Sequence, residues 1–320
     1  MTYARHELPD DCETLPRMPS WVTSGRAETL ETVAFRSGAA LTVLDALVFD
    51  PRHGVPVKLL AKRLALKAAT ATSKIEGRLA QEADIRDAFH LTPPGEARGP
   101  DGDLLAFWRE AAQLRLKGKD LQADLSGLVG SNLADDVARW LGTGTEHAKR
   151  HGPLAGCSSV MRAVLEVDDR AERVACLLSD VVLACTLNCK TVLPISAQRT
   201  TKPMLRDLVA DGQGAALRVR QRILESIEYT IRNSCELASK AIALQGVTPK
   251  LRAKGSAAAV DLFLAEDAVA PSTMLSPMIQ GTTIPMTGRA ARRFCDRLVE
   301  LGVAQELTGR PTFRLYGIVP

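Results

Sequence analysis

The stretch TGRAARRFCDRLVELG, residues 287–302, has the clearest helical pattern near the C-terminal end of the chain. Its apolar residues recur at spacings of three and four, the period of one face of an α-helix. They are Ala291, Phe294, Leu298 and Leu301. Thr287 is a suitable N-cap, and Gly302 is a typical C-terminal stop. The stretch therefore predicts a helix from Thr287 to about Leu301 with one buried face.

Two short strands are predicted to follow this helix. Residues 303–307 and 313–318 are separated by a turn that contains glycine and proline, which is typical of a hairpin. Before the helix, the sequence predicts a helix over residues 257–267 and a short one over 271–278. A helix, a short helix, a longer helix and a hairpin follow one another in winged helix-turn-helix domains. We therefore predict such a domain, with a small β-hairpin wing, for residues 248–320.

The predicted winged helix carries arginines that point away from its buried stripe. Alternation along the second strand puts Phe313 and Leu315 on one face and leaves Tyr316 on the other. The candidate DNA-binding residues are Arg289, Arg292, Arg293 and Arg297 on the third helix, Arg310 at the wing tip and Arg314 on the wing strand.

A helix of this size fits the DNA major groove, where arginines reach phosphates and guanine edges. Residues 287–320 hold six arginines and three acids, and a basic surface is what a DNA partner needs. Double-stranded DNA is therefore the predicted partner. Two alternatives stay open: the arginines only keep a helical face soluble, or the domain docks onto another protein.

Residues 31–247 are predicted to form an all-α body. Apolar residues recur there at helical spacing, and the most apolar helix, over residues 169–187, is predicted to be central. Residues 92–103, rich in proline and glycine, predict a loop in which Asp103 caps the following helix. Residues 1–30 contain several prolines and acids and are predicted to be a flexible tail or a strap on the surface.

Composition limits the class of protein. The net charge is +4, with 46% hydrophobic, 24% charged and 4% aromatic residues, which is an ordinary globular balance that favours helices. No uninterrupted apolar run reaches the ~18–20 residues that cross a bilayer. The first residues lack the basic and apolar pattern of a signal peptide. These features predict a cytoplasmic protein with no membrane partner.

The seven cysteines predict neither disulfides nor a metal site. Their number is odd, and their spacing fits no disulfide framework. Cys185 and Cys189 lie one helical turn apart, but no second pair and no nearby histidine complete a ligand set. We therefore predict no metal, no cofactor and reduced thiols in a helical core.

Two segments resemble parts of Fic proteins, which transfer AMP to hydroxyl groups. The sequence TSKIEG at residues 72–77 matches the inhibitory-helix motif through Thr72, Glu76 and Gly77. The segment from Arg297 through Tyr316 is similar to the winged helix that many Fic proteins carry at their C-terminus. The resemblance implies a Fic-like helical bundle followed by a winged helix. From about Phe35 to Ile318 the chain also resembles a rhizobial family of proteins of about 320 residues, and that resemblance implies no particular activity.

The catalytic part of the Fic pattern is missing. Fic enzymes use a His-Pro-Phe motif, whose histidine is the general base, and a Gly-Asn-Gly-Arg loop that holds phosphates. None of the histidines begins such a motif, and residues 187–194 offer neither a base nor a glycine-rich loop. We therefore assign no catalytic residue and expect no AMP transfer. Glu76 is then a surface or ion-paired helix residue, or it holds its helix on the body through one of three partners. Those are Arg170, Arg173 and Arg199.

These observations favour a DNA-binding regulator of transcription or of a mobile element. Its body would be a catalytically inactive, Fic-like bundle that senses a ligand or forms a homodimer. Two other classes remain as alternatives. The body is a nucleotide-binding protein or an enzyme of altered chemistry, or the chain is a docking protein in a larger assembly.

Overall fold

The computed structural model describes residues 15–93, 95–117, 120–210 and 212–318 of the chain. Within these residues the protein is mostly helical, as the apolar spacing predicted. The body, residues 15–247, contains α1 (Ser20–Thr23), α2 (Leu30–Phe49), α3 (Val57–Ile75), α4 (Glu82–His90), α5 (Gly99–Ala111), α6 (Leu121–Val129), α7 (Val137–His151), α8 (Pro153–Leu165), α9 (Glu172–Thr186), α10 (Lys202–Ala210) and α11 (Gly212–Val247). Short 3-10 turns occur at Pro51–His53 and Ala134–Asp136.

The C-terminal unit, residues 248–318, begins with a 3-10 turn, Thr248–Lys250. Its further elements are α12 (Ser256–Phe263), a π-helical turn (Pro271–Leu275), α13 (Gly288–Glu300), β1 (Ala304–Glu306) and β2 (Tyr316–Ile318). The two strands are antiparallel, and Gln305 pairs with Gly317 at the centre of the ladder.

The body is built from helices that pack in groups. Helices α7, α8 and α9 pack on one another, α2 lies along α11, and α3 packs with α4 and α5. The core runs through all of them. In α9, all but one of the residues from Glu172 to Ala184 are buried, so the prediction that this helix is central is confirmed.

Helices α7 and α8 cross at a pair of glycines. A Cβ atom on Gly156 would lie 2.6 Å from the carbonyl oxygen of Gly144 and 2.6 Å from the Cβ of Ala148. Side chains of any size would force the helices apart. The two glycines therefore fix a close approach of the two backbones.

The predicted tail is partly an ordered segment. Residues 1–14 lie outside the described residues. Beyond them, α1 packs against α2, Val22 is buried, and the Gly25 carbonyl accepts a hydrogen bond from Arg36 at 3.0 Å. The strap interpretation fits residues 15–30 better than the flexible-tail one.

Helix α2 is the one described helix whose length and composition would suit a membrane span. One face of this helix packs into the core, where Leu41, Leu44 and Leu47 are buried. Arg36 of the same helix forms an ion pair with Glu228 of α11. This arrangement is consistent with a helix of a soluble protein.

Two predicted boundaries are wrong. Helix α5 begins at Gly99, with Pro100 in its first turn, so Asp103 lies inside the helix and is not its N-cap. Proline favours the first turn because its fixed φ is helical and its missing N–H would have no partner there. The sequence also predicts a helix over residues 196–210, but the helix begins only at Lys202.

The predicted alternation of the second wing strand is also wrong. Phe313 is exposed and has a φ of +55°, whereas Tyr316 is buried. The reason is a third segment that the hairpin pattern does not contain. Val269 and Tyr316 exchange two backbone hydrogen bonds, of 2.7 and 2.9 Å. At Tyr316, β2 therefore pairs with β1 along one edge and with Val269 along the other.

Candidate nucleic-acid interface

Helix α13 presents its arginines because its apolar face is anchored in the C-terminal unit. The Thr287 hydroxyl accepts a hydrogen bond from the Ala290 N–H, which caps the helix as predicted. Ala291, Phe294 and Leu298 are buried as predicted, and Leu301 is half-buried. Cys295 is also buried. With these side chains fixed inward, the rest of the helix surface faces solvent.

The structure places all four candidate arginines of α13 on the exposed side of the helix. Arg289, Arg292 and Arg293 form no ion pair with any residue that the structure describes. Arg297 lies 2.8 Å from Glu300, one turn further along the same helix. Three guanidinium groups at the start of the helix are therefore available to an anionic partner.

A second basic segment lies beside α13. Residues 249–253 and the helix enclose a surface groove of about 790 Å³, which we call the basic groove. Lys250 and Arg252 line it from one side, and Arg293 and Arg297 from the other. No carboxylate lines the groove among the residues described. Lys250, Arg252 and Arg293 therefore have no carboxylate partner within the groove, whereas Arg297 pairs with Glu300 outside it.

Lys250 and Arg252 were not among the residues predicted to bind DNA. A signal existed, because the segment KLRAK at residues 250–254 carries three cations in five residues. That segment has no periodic pattern, however, and lies far along the chain from α13. Only folding brings the two together.

The wing arginines are placed differently from the helix arginines. Arg310 lies 3.2 Å from Asp87 on α4 of the body, and the Arg314 guanidinium donates to the Arg310 carbonyl at 3.1 Å. Both remain more than one-third exposed. The wing tip is therefore held against the body and is not an extended arm.

A buried group of charges joins the C-terminal unit to the body; we call it the ion cluster. Arg109 of α5 donates to Glu266, at 2.6 Å, and to Asp267. Lys62 of α3 pairs with Glu266, and His90 Nε2 lies 3.4 Å from Asp267 Oδ1. Burial acts to raise the pKa of Asp267, but the charges of His90 and Arg109 and their hydrogen bonds hold it well below its usual range.

The motif that resembles the Fic inhibitory helix lies at the end of α3, at the surface of the body. The Glu76 carboxylate lies 2.7 Å from Arg173 of α9 and also pairs with Arg78. Of the alternatives left open for Glu76, the structure shows the ion-paired one, and Arg173 is the partner among the three candidate arginines. Gly77 has a φ of +81°, which is the left-handed conformation that favours glycine at a helix end.

Thr72, the other residue of that motif, is fully buried. Its hydroxyl accepts a hydrogen bond from Trp108 Nε1 at 2.8 Å and donates to the Ala68 carbonyl. Thr72 and Glu76 therefore have packing and ion-pairing partners that account for them.

Among the described residues, no three His, Cys, Asp or Glu side chains are placed to hold a metal ion. The described cysteines are free thiols. Burial raises the pKa of Cys157 to about 12, so that thiol is protonated and unreactive at neutral pH.

The fold and the site define a mostly helical protein with an exposed, arginine-bearing helix near its C-terminal end. The chain belongs to the family described as "Protein of unknown function (DUF1403)", which it matches over residues 6–318. We predicted that the chain belongs to a family of unknown function that spans most of its length, and this match confirms that prediction. The match begins before the predicted Phe35. The family description does not mention Fic proteins, so that likeness stays a hypothesis. No curated protein matches the chain.

Proposed function

We propose that this protein binds double-stranded DNA through residues 248–318, which we interpret as a winged helix with α13 as its recognition helix. The order of elements supports this interpretation, since α12, the π-helical turn, α13 and the β1–β2 hairpin follow one another. The strand-like pairing of Val269 with Tyr316 adds a third segment to the hairpin.

The observation that carries the proposal is the set of free arginines on α13 beside the basic groove. The helix has 13 residues, so it is about 20 Å long at 1.5 Å per residue. The major groove is about 12 Å wide and accepts an α-helix. Arg289, Arg292 and Arg293 are exposed and have no carboxylate partner among the described residues.

The basic groove suits the phosphate backbone that flanks a major groove. Its cations, with those of α13, make a surface of six charges. These are Lys250, Arg252, Arg289, Arg292, Arg293 and Arg297. If all six contact phosphates, log Kobs should fall with log salt with a slope of about −5.

The structure changes the role that we assign to Arg310. At the tip of a wing it would contact phosphates, but it pairs with Asp87 on the body. Residues near the start of a recognition helix usually meet base edges, so we assign sequence preference to Arg292 or Arg293. Losing a base-reading arginine should cost about 1–3 kcal/mol and relax sequence preference.

The test is fluorescence anisotropy of a labelled duplex of random sequence, measured between about 50 and 200 mM salt. The triple variant Arg289→Ala, Arg292→Ala and Arg293→Ala should bind weakly and lower the salt slope by about three. The matched control removes three exposed cations of the body and should keep the slope. These are Arg115, Lys117 and Arg170.

Two outcomes would reject the proposal. One is equal binding by the triple variant and the wild type, with the fold intact by circular dichroism. The other is an equal loss in both triple variants, which would show only an effect of net charge. Either would favour protein docking by the same face.

We extend the proposal to a regulator of transcription or of a mobile element that acts in the cytoplasm. A homodimer would place two copies of α13 about 34 Å apart on successive major grooves. The body would then be a Fic-like bundle without catalysis. The variant Glu76→Gly removes the carboxylate that blocks the active site in Fic enzymes. We expect no AMP transfer from ATP by this variant, and labelled protein would show an active site that we have missed.

A further inference from the structure

A second cationic site lies in the body, between α7, α8 and α11, away from the residues of the basic groove. It is a cavity of about 350 Å³, and small-molecule sites begin at about this size. The lining residues are Leu30, His147, His151, Ser158, Ser159, Arg162, Ala216 and Arg220. We call it the body pocket.

The close crossing of α7 and α8 builds one side of the body pocket. Because Gly144 and Gly156 let the two backbones touch, the last turn of α7 lies beside α8. His147 and His151 are one helical turn apart, and their ring centroids are 4.6 Å apart. Both imidazoles line the cavity.

Helix α11 supplies the opposite side. Arg220 donates from Nε to the Ser158 hydroxyl at 3.0 Å, which fixes its guanidinium at the pocket while leaving its terminal nitrogens for other acceptors. Arg162 of α8 is held similarly, because its Nε donates to the Leu208 carbonyl at 2.9 Å. Both arginines are thus positioned before any ligand arrives.

The ionisable side chains that line the body pocket are all basic. None of its lining residues is an Asp or a Glu, and Arg220 forms no ion pair with any residue described. Burial, the charge of His151 and the charges of Arg220 and two other arginines lower the pKa of His147. Arg220 and His147 therefore share a pocket with no carboxylate among its lining residues, and a bound anion would offset the repulsion between them.

We infer that the body pocket binds the phosphate group of a small molecule. The Arg220 guanidinium suits the oxygens of a tetrahedral anion, and the Ser159 hydroxyl lines the same wall. The Ser158 hydroxyl donates to the Ala155 carbonyl at 3.1 Å and serves to hold Arg220 in place. The volume admits a phosphate with a small organic group but not a duplex. The inference does not depend on DNA binding.

The test is isothermal titration calorimetry of the full chain with inorganic phosphate and, separately, with a hexose phosphate. Arg220→Met should weaken binding by about 10-fold or more, the size expected for a lost charge-assisted hydrogen bond. The matched control is Arg232→Met, an exposed arginine further along α11, and it should bind like the wild type. Tighter binding of the hexose phosphate would assign a phosphate monoester, and equal binding would assign the phosphate ion.

Protonation gives an independent readout. The groups that face His147 are His151 and Arg150 on its own helix, Arg162 on α8 and Arg220 on α11. Sulfate does not titrate near neutral pH, so its affinity should rise as the pH falls below the ordinary histidine pKa of 6.5, because His147, whose pKa is lowered, then gains a proton. His147→Gln should reduce that rise and keep the fold.

The inference is overturned if neither phosphate compound gives heat at concentrations up to about 10 mM, where a millimolar Kd would be visible. It is also overturned if Arg220→Met and Arg232→Met weaken binding equally. In both cases DNA binding by α13 would be unaffected, because no residue of the basic groove is changed.

Discussion

Replacing Arg109 by methionine should uncouple the C-terminal unit from the body. Arg109 pairs with Glu266 and Asp267, and all three side chains are about 10% exposed or less. The substitution keeps most of the side-chain volume but leaves two buried carboxylates with only Lys62 and His90 as partners. Removing one partner of a buried ion pair costs about 3–5 kcal/mol, because a charge remains buried without compensation.

The cost of Arg109→Met should depend on pH, and the sign follows from Asp267. Its folded-state pKa is lowered from the ordinary value of 3.8 by His90 and Arg109, against the effect of burial. A lowered pKa contributes stability that is present above pH 3.8 and is lost as the pH falls through the folded-state pKa. The difference between wild type and variant should therefore be largest near neutral pH and should shrink below pH 3.8.

The assay is urea unfolding followed by far-UV circular dichroism and by tryptophan fluorescence, to which Trp108, the neighbour of Arg109 on α5, contributes with Trp21 and Trp140. The wild type should unfold in one transition, because the ion cluster couples the two parts. In the variant, the C-terminal unit should melt first. The control Arg139→Met breaks an exposed pair with Asp136 and should cost less than about 1 kcal/mol. Equal midpoints for the two variants would refute the reasoning.

Three further predictions concern the body. Thr72→Val leaves the buried indole N–H of Trp108 without its acceptor and should cost about 1–3 kcal/mol in urea unfolding; Thr72→Ser should restore stability, and an equal loss in both would contradict the hydrogen-bond argument. Burial raises the pKa of Asp180 to about 7, against the backbone and side-chain hydrogen bonds that it accepts. Its contribution to stability should therefore fall as the pH rises from 3.8 to about 7, and Asp180→Asn should flatten that slope; a slope unchanged in the variant would disprove the assignment. Gly156→Val should overpack the α7–α8 crossing and cost about 1–3 kcal/mol or more, whereas a thermal midpoint equal to that of the wild type would show that the helices can separate freely.

The spacing of apolar residues predicted those helices in which this spacing is regular. Helix α13 begins after Thr287 and buries Ala291, Phe294 and Leu298 as its spacing indicates. The apolar sequence of α9 predicted its central position for the same reason, since a helix that is apolar all round must be buried. The start of α5 was missed because Pro100 in a first turn looks, in sequence, like part of a loop.

Part of the candidate site could also be predicted. The arginines of α13 are exposed because they fall opposite its apolar stripe, and that follows from the helical period alone. The partner of Glu76 could be narrowed only to three arginines, Arg170, Arg173 and Arg199, because the choice depends on which of α9 and its flanking segments packs against the end of α3. Packing selects Arg173.

Local sequence patterns were sufficient to predict that the chain is mostly helical, where its most amphipathic helix lies and which face of that helix is charged. These properties depend on residues within one or two helical turns of each other. Tertiary structure alone decided that Lys250 and Arg252 line a groove with α13, that Arg310 pairs with Asp87, and that His147 and Arg220 share a cavity. Each of these contacts joins residues from different helices or loops. Which residues come together depends on which buried faces pack against each other, and the spacing of apolar residues within one helix does not reveal that.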